Sequence, residues 1–180
     1  DYVAIDYVDM IYQAARHLLD LGHRSIGLFI PGLRHPLETR LGGLQEALKE
    51  AGIAEREEWY FDGPYFEAGG EEAAEQFLAL KQRPTSMIVA NDSSAMVFTN
   101  RIGLRAGLRV PQDVSVVGQD DMPGARYSVP AWTTVSHPAE DVVRNVEELL
   151  CSRLDGSYTK EPRHVMVRGR LQVRESADRV

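Results

Sequence analysis

The stretch "VSVVGQDDMPGARYSVPAWTTV" (114–135) decides how the chain is read. Val114 to Val117 form a short apolar run that reads as a buried strand. Gly118 follows, and then two adjacent acids, Asp120 and Asp121. In an open parallel α/β sheet, groups just past the carboxyl end of a strand face the ligand crevice. No helix long enough for a crossover separates this strand from "TTV" (133–135), so the chain changes rhythm here.

Upstream of that point the rhythm is regular. Residues 7–21 place Val8, Ile11, Ala14, Ala15, Leu18 and Leu19 at helical spacing, with Asp6 as N-cap and Gly22 as the closing glycine. "SIGLFI" (25–30) reads as a strand broken by Pro31-Gly32, and residues 38–52 as a helix ending on Gly52. "EWYF" (58–61) is a strand, and residues 67–81 a helix whose first turn Gly69 and Gly70 should weaken. "SMIVA" (86–90) is a strand, and 93–107 a helix stopped by Gly107. Strands alternating with helices predict an α/β fold: an open, mostly parallel sheet with helices on both faces. Downstream, Pro138 suits the first position of a helix running to Leu154, with Val142, Val143, Val146, Leu149 and Leu150 on one face. Residues 164–167 and 171–174 read as two short strands around Gly169.

Composition narrows the function. The chain has 180 residues and a net charge of −7, from 27 acids against 20 lysines and arginines. Gripping a phosphate backbone needs clustered basic residues, so this stretch is not expected to hold nucleic acid itself. No apolar run approaches the roughly 20 residues that span a bilayer, and no signal-peptide pattern is visible. Cys151 is the single cysteine, which excludes an internal disulfide. No P-loop, GxGxxG, GxSxG or HExxH pattern occurs, and His17, His23, His35, His137 and His164 lack ligand spacing. Neither catalysis, a metal nor a cofactor is therefore expected.

Four strand ends should open onto one rim. They offer Arg34 with Arg40, Asp62 with the pair Tyr65-Phe66, Asn91-Asp92, and Gln119 with Asp120 and Asp121. Carboxylates accept from hydroxyls or ring N–H groups, arginine donates in a fixed fork, and a flat aromatic stacks on a sugar face or a base. That chemistry suits a sugar-like or purine-like ligand. Arg40 and Asp120 are read as binding groups, Asp92 as the cap of the helix beginning near Ser93, and Asp121 as the holder of a turn.

The pieces "VAIDY…AARHLLDLGHRSIGLF" (3–29), "RLGGLQEALKEAGI" (40–53), "IVANDSSAM" (88–96), "GLRVPQDVSVVGQDDMPGARYSVPAWTTVSHP" (107–138) and "LQVRES" (171–176) occur in order along nearly the whole chain. In this the sequence resembles the effector-binding region of the LacI/GalR family of bacterial transcription regulators, mainly its C-terminal lobe, with a periplasmic-binding-protein-like fold and flavodoxin-like strand order. The resemblance implies effector contacts from Arg40, Asn91, Asp120, Tyr65, Arg34 and His137, with Pro36 in the same variable loop as Arg34. It implies a cytoplasmic homodimer joined through Met96 and Val97 and through the segment Gly124 to Ser128, which includes Arg126 and Tyr127. Operator DNA would be reached only through a headpiece outside this stretch, and no membrane is involved.

The resemblance divides the chain into a lobe at 1–136, a returning helix at 137–158 that packs on another lobe, and final strands at 159–180 rejoining the first. With that other lobe absent, effector binding is expected to be weak. The apolar face of the returning helix is expected to be disordered, displaced or covered by a second copy. Tyr7, Met10, Trp132 and Pro36 depart from the family pattern and leave the effector open between sugar and purine. A periplasmic sugar-binding protein of a transport system is the alternative; the "RES" ending and the "GQDD…PAWTT" segment favour the regulator.

Overall fold

The computed structural model describes residues 1–33 and 39–180. Strand β1 (Tyr2–Ile5) leads into helix α1 (Tyr7–Asp20), followed by β2 (Ile26–Phe29) and α2 (Leu41–Glu50). Then come β3 (Tyr60–Phe61), α3 (Phe66–Ala79), β4 (Ser86–Val89), α4 (Asp92–Ala106) and β5 (Ser115–Asp120). A 3₁₀ turn (Pro123–Arg126), β6 (Thr133–Ser136), α5 (Ala139–Leu154), β7 (His164–Val167) and β8 (Arg170–Gln172) complete the chain.

Six strands form the main sheet in the order β3-β2-β4-β5-β6-β8. All neighbours are parallel except β6 and β8, which run antiparallel. Every residue of β2 and of β4 is buried, as expected for strands covered on both faces. On one face Met10, Ile11, Leu18, Leu44 and Leu48 of α1 and α2 pack over Leu28, Ile88 and Val117. On the other, Phe77 and Phe98 of α3 and α4 pack over Phe29, Met87 and Val116. The open, mostly parallel α/β sheet with flavodoxin-like order is therefore present.

Local signals hold where the physics is local. Asp6 caps α1, its carboxylate accepting from the Asp9 amide at 2.9 Å. Gly107 closes α4 in the left-handed conformation at φ +67°. Gly69 and Gly70 act otherwise than expected. A Cβ on Gly69 would collide with the Pro64 carbonyl oxygen, and one on Gly70 with the Ser94 carbonyl oxygen. The pair lets α3 approach its neighbours closely, and this tertiary gain outweighs its weak helix propensity.

Two differences concern organisation. β7 does not rejoin the large sheet: it pairs in parallel with β1, Tyr2 opposite His164 through Ile5 opposite Val167. Only β8 of the tail strands joins the main sheet, and β1 stands apart from it. α5 is formed and rests on this two-stranded ribbon, with Leu149 buried in the contact. Val143, Val146, Leu150 and Leu154 are exposed on the single chain, so the helix is ordered with most of its apolar face outward.

Candidate functional site

At the carboxyl ends of β2, β4 and β5 lies a cavity of about 470 Å³, within the usual size for small-molecule sites. Arg40, Tyr65, Asn91, Asp120 and His137 all line it, as do Tyr7, Phe66 and Gln119. Arg34 and Pro36 lie outside the described residues.

β5 runs to Asp120, further than the apolar run indicated, because β6 pairs with it as far as Ser136 opposite Asp120. Asp120 is thus the strand's last residue, and its Oδ1 lies 2.9 Å from His137 Nε2. Hydrogen bonding to the Asp120 carboxylate raises the His137 pKa, burial works against it, and the charge of Asp120 adds to the rise. The contact lies at the cavity wall, where a ligand acceptor can compete for the imidazole proton. Gln119 Nε2 lies 3.4 Å from the same carboxylate, leaving Oε1 buried with no hydrogen-bond partner among the described residues.

Arg40 sits just before α2 and donates from Nη2 to the Pro31 carbonyl at 3.1 Å, which ties the head of the helix to the end of β2. Tyr65 caps the start of α3 and is 60% exposed, with its ring open for stacking. Phe66 beside it has φ +61°, a strained value for an aromatic residue. Its carbonyl accepts from the Ser94 hydroxyl at 2.7 Å, which holds that conformation. Tyr7 opens α1 and meets His137 edge-on at 5.6 Å between ring centroids. Burial raises the Tyr7 pKa, and the negative charge of Asp120 adds to the rise, so the phenol keeps its proton as a donor.

The cap expected of Asp92 falls to Asn91. Asn91 is the N-cap of α4, its Oδ1 accepting from the Ser94 amide at 3.3 Å. It also lines the cavity, with the side-chain amide as its available donor. Asp92 does not cap the helix. It is buried, and Oδ1 accepts from the Thr134 hydroxyl at 2.7 Å while Oδ2 accepts from the Met122 amide at 2.9 Å. Burial pushes its carboxyl up to about 6 despite those two bonds. Gly118 makes room, since a Cβ there would collide with Asp92 Oδ1.

Asp121 holds the turn, as expected, by pairing with Arg174 at 2.7 Å in a mostly buried contact. The "RES" ending thereby acquires a physical role. Arg174 also donates to the Trp132 carbonyl, Glu175 accepts from the Ala131 amide, and Ser176 bridges Thr133 N–H and the Val116 carbonyl. The tail thus laces the 114–135 stretch to itself.

Among the residues expected at a dimer surface, Met96, Arg126 and Tyr127 are exposed, Tyr127 at 81%. Val97 is half buried, its Cβ turned toward Gly70 of α3. The Ser93 hydroxyl contacts Met122 Sδ at 3.4 Å, which brings the start of α4 and the 3₁₀ turn together. Phe66 and Gln119, expected at the rim from their strand ends, line the cavity beside Tyr65 and Asp120; Tyr7, which stands out in the sequence only as a departure from the family pattern, joins them. Among the described residues no group of three or more His, Cys, Asp or Glu side chains could hold a metal, and no helix is long and apolar enough to cross a membrane.

The family described as "Periplasmic binding protein-like domain" matches residues 15–177. The HTH-type transcriptional repressor PurR of Pectobacterium carotovorum is 40% identical over 157 residues, 86% of this chain and 45% of the repressor. The chain thus spans about half the length of the curated relatives it matches. A sugar-binding LacI-family transcriptional regulator from Escherichia coli, solved with phosphate, superposes with a TM-score of 0.87 at 29% identity, over 98% of this chain and 63% of that one. The regulator CelR, solved with cellobiose, gives 0.84 at 32% identity, over 98% and 54%. The chain belongs to the periplasmic binding protein-like domain family, as an effector-binding region of the LacI/GalR type.

Proposed function

We propose that the chain is the part of a cytoplasmic DNA-binding transcription regulator that senses a small molecule and forms a homodimer. It performs no catalysis, and operator DNA is bound by another part of the regulator. The observation that carries this reading is the cavity at the strand ends, where Asp120, Asn91, Arg40 and His137 converge among Tyr7, Tyr65 and Phe66. Such a set accepts and donates around the edge of a polar ring while aromatics cover its face. A sugar and a purine base both meet those demands; the neighbour CelR is solved with cellobiose, which favours testing sugars first. Arg34 belongs to the same proposed contact set, and Met96, Val97, Arg126 and Tyr127 to the proposed dimer surface. Among the described residues the cavity is lined from α1 and the carboxyl end of the main sheet, so ligand hydrogen bonds stay open to water on the other side and affinity in this stretch alone is weak.

Titration of the complete regulator with cellobiose, ribose and adenine separates the ligand classes. Asp120→Ala abolishes the response to whichever binds while the fold survives. An unchanged response removes Asp120 from the site.

A further inference from the structure

Two consecutive residues at the end of β5 occupy backbone conformations that L-residues avoid. Asp120 has φ +113° and Asp121 has φ +55°. Strain of this kind persists only where the surroundings over-determine it, and it tends to mark functional positions. Here glycine would carry neither side chain, and the Asp120 carboxylate is what reaches the cavity.

The restraints on these two residues can be traced individually. The Asp121 amide points to Thr134 Oγ1 at 3.4 Å, and that hydroxyl donates to Asp92 Oδ1 at 2.7 Å. The next amide, Met122 N–H, donates to Asp92 Oδ2 at 2.9 Å. Asp92 therefore grips both sides of Asp121 from beneath. Arg174 holds the Asp121 carboxylate from the other side at 2.7 Å, and the His137 amide donates to the Asp120 carbonyl at 3.3 Å. A buried carboxylate is costly without full hydrogen bonding, yet a smaller apolar residue would have filled the space beside Gly118. What the carboxylate adds is two directed acceptors aimed at one turn.

We infer that Asp92 is a positioning residue: through Thr134 and the Met122 amide it clamps the strained Asp120–Asp121 turn and so delivers the Asp120 carboxylate to the cavity. Its functional meaning rests on the proposed role of Asp120 in effector binding. The clamp itself can be tested without any effector.

His137 supplies the readout, because its pKa is raised first by hydrogen bonding to Asp120. The imidazole titration of His137 is followed by NMR in the 180-residue chain, with thermal melting in parallel to verify folding. Asp120→Asn should lower the midpoint; an unmoved midpoint there overturns the proposal at its base. Thr134→Val is the decisive variant. It cuts the link between Asp92 and Asp121 without changing any charge, whereas the charge of Asp92 itself also bears on His137. A folded Thr134→Val chain should show at least about half of the drop seen in Asp120→Asn, and Thr134→Ser, which keeps the hydroxyl, should restore the midpoint. A folded Thr134→Val chain with an unmoved midpoint overturns the clamp. Should Thr134→Val fail to fold, Asp92→Asn, which keeps one acceptor, is read instead, and a midpoint unmoved there is equally decisive against it. Failure of the functional reading looks different: Asp120→Ala leaves the effector response intact while the histidine titration behaves as stated.

Discussion

The carboxyl end of β5 and the outer face of α5 both bring functional-looking side chains to the surface, but they are built in opposite ways. At β5, a strained turn is braced by Asp92, Thr134 and Arg174, and each brace is hydrogen-bonded or paired. On α5, Val143, Val146, Leu150 and Leu154 stand exposed, and Leu149 alone is buried. Preorganisation for a ligand requires side chains held from several directions before the ligand arrives. An apolar face held from one direction contributes little until something covers it. The contrast sets the buried core of the main sheet, and the proposed recognition chemistry at its braced rim, apart from the open face of α5.

Truncations of similar kind in the two regions should differ most. Phe98 is fully buried and meets Phe77 edge-to-face at 5.4 Å, so Phe98→Ala should cost about 3–5 kcal/mol in urea unfolding. A loss near 1 kcal/mol would mean that the α4 core is looser than its packing implies. The Asp92 brace should show itself through pH. Its folded pKa is raised from 3.8 to about 6, so its contribution to stability is fully present below pH 3.8 and lost as pH rises through about 6. Roughly two pKa units correspond to at most about 3 kcal/mol. Relative to Asp92→Asn, the wild-type chain should therefore lose stability between pH 4 and 7, and parallel pH profiles would refute the assignment.

Ser176→Ala, which strands Thr133 N–H and the Val116 carbonyl in the interior, should cost about 1–3 kcal/mol by the same unfolding assay. The smallest effect belongs to α5. Leu154 is 78% exposed, and Leu154→Ala should change stability by less than about 0.5 kcal/mol. A larger loss would show that α5 is covered in solution and would erase the contrast with β5.

The alternation of helices and strands was legible because burial on two faces and capping chemistry are written in short windows. Asp6, Gly107 and the apolar runs of β2 and β4 needed no distant partner to be read. Arg40, Tyr65, Asn91, Asp120 and His137 were legible as a set through strand ends and family resemblance, and the fold brings them to one cavity. Gly69 and Gly70 were misread because their value lies in Pro64 and Ser94, neighbours that helix propensity does not describe. The cap of α4 was placed on Asp92 rather than Asn91 for a related reason. Both are good caps in isolation, and the choice between them depends on Thr134, 42 residues further on.

The sequence by itself therefore determined the kind of sheet, the helices that cover it and the chemical character of its rim, because hydrophobic period and residue type act over a few positions. Tertiary structure alone decided that Asp92 lies beneath the Asp120–Asp121 turn instead of capping α4. It also decided that β1 pairs with β7 and that the tail laces the 114–135 stretch. Those outcomes depend on hydrogen bonds and close approaches between residues far apart in the chain, whose partners exist only once the sheet has closed.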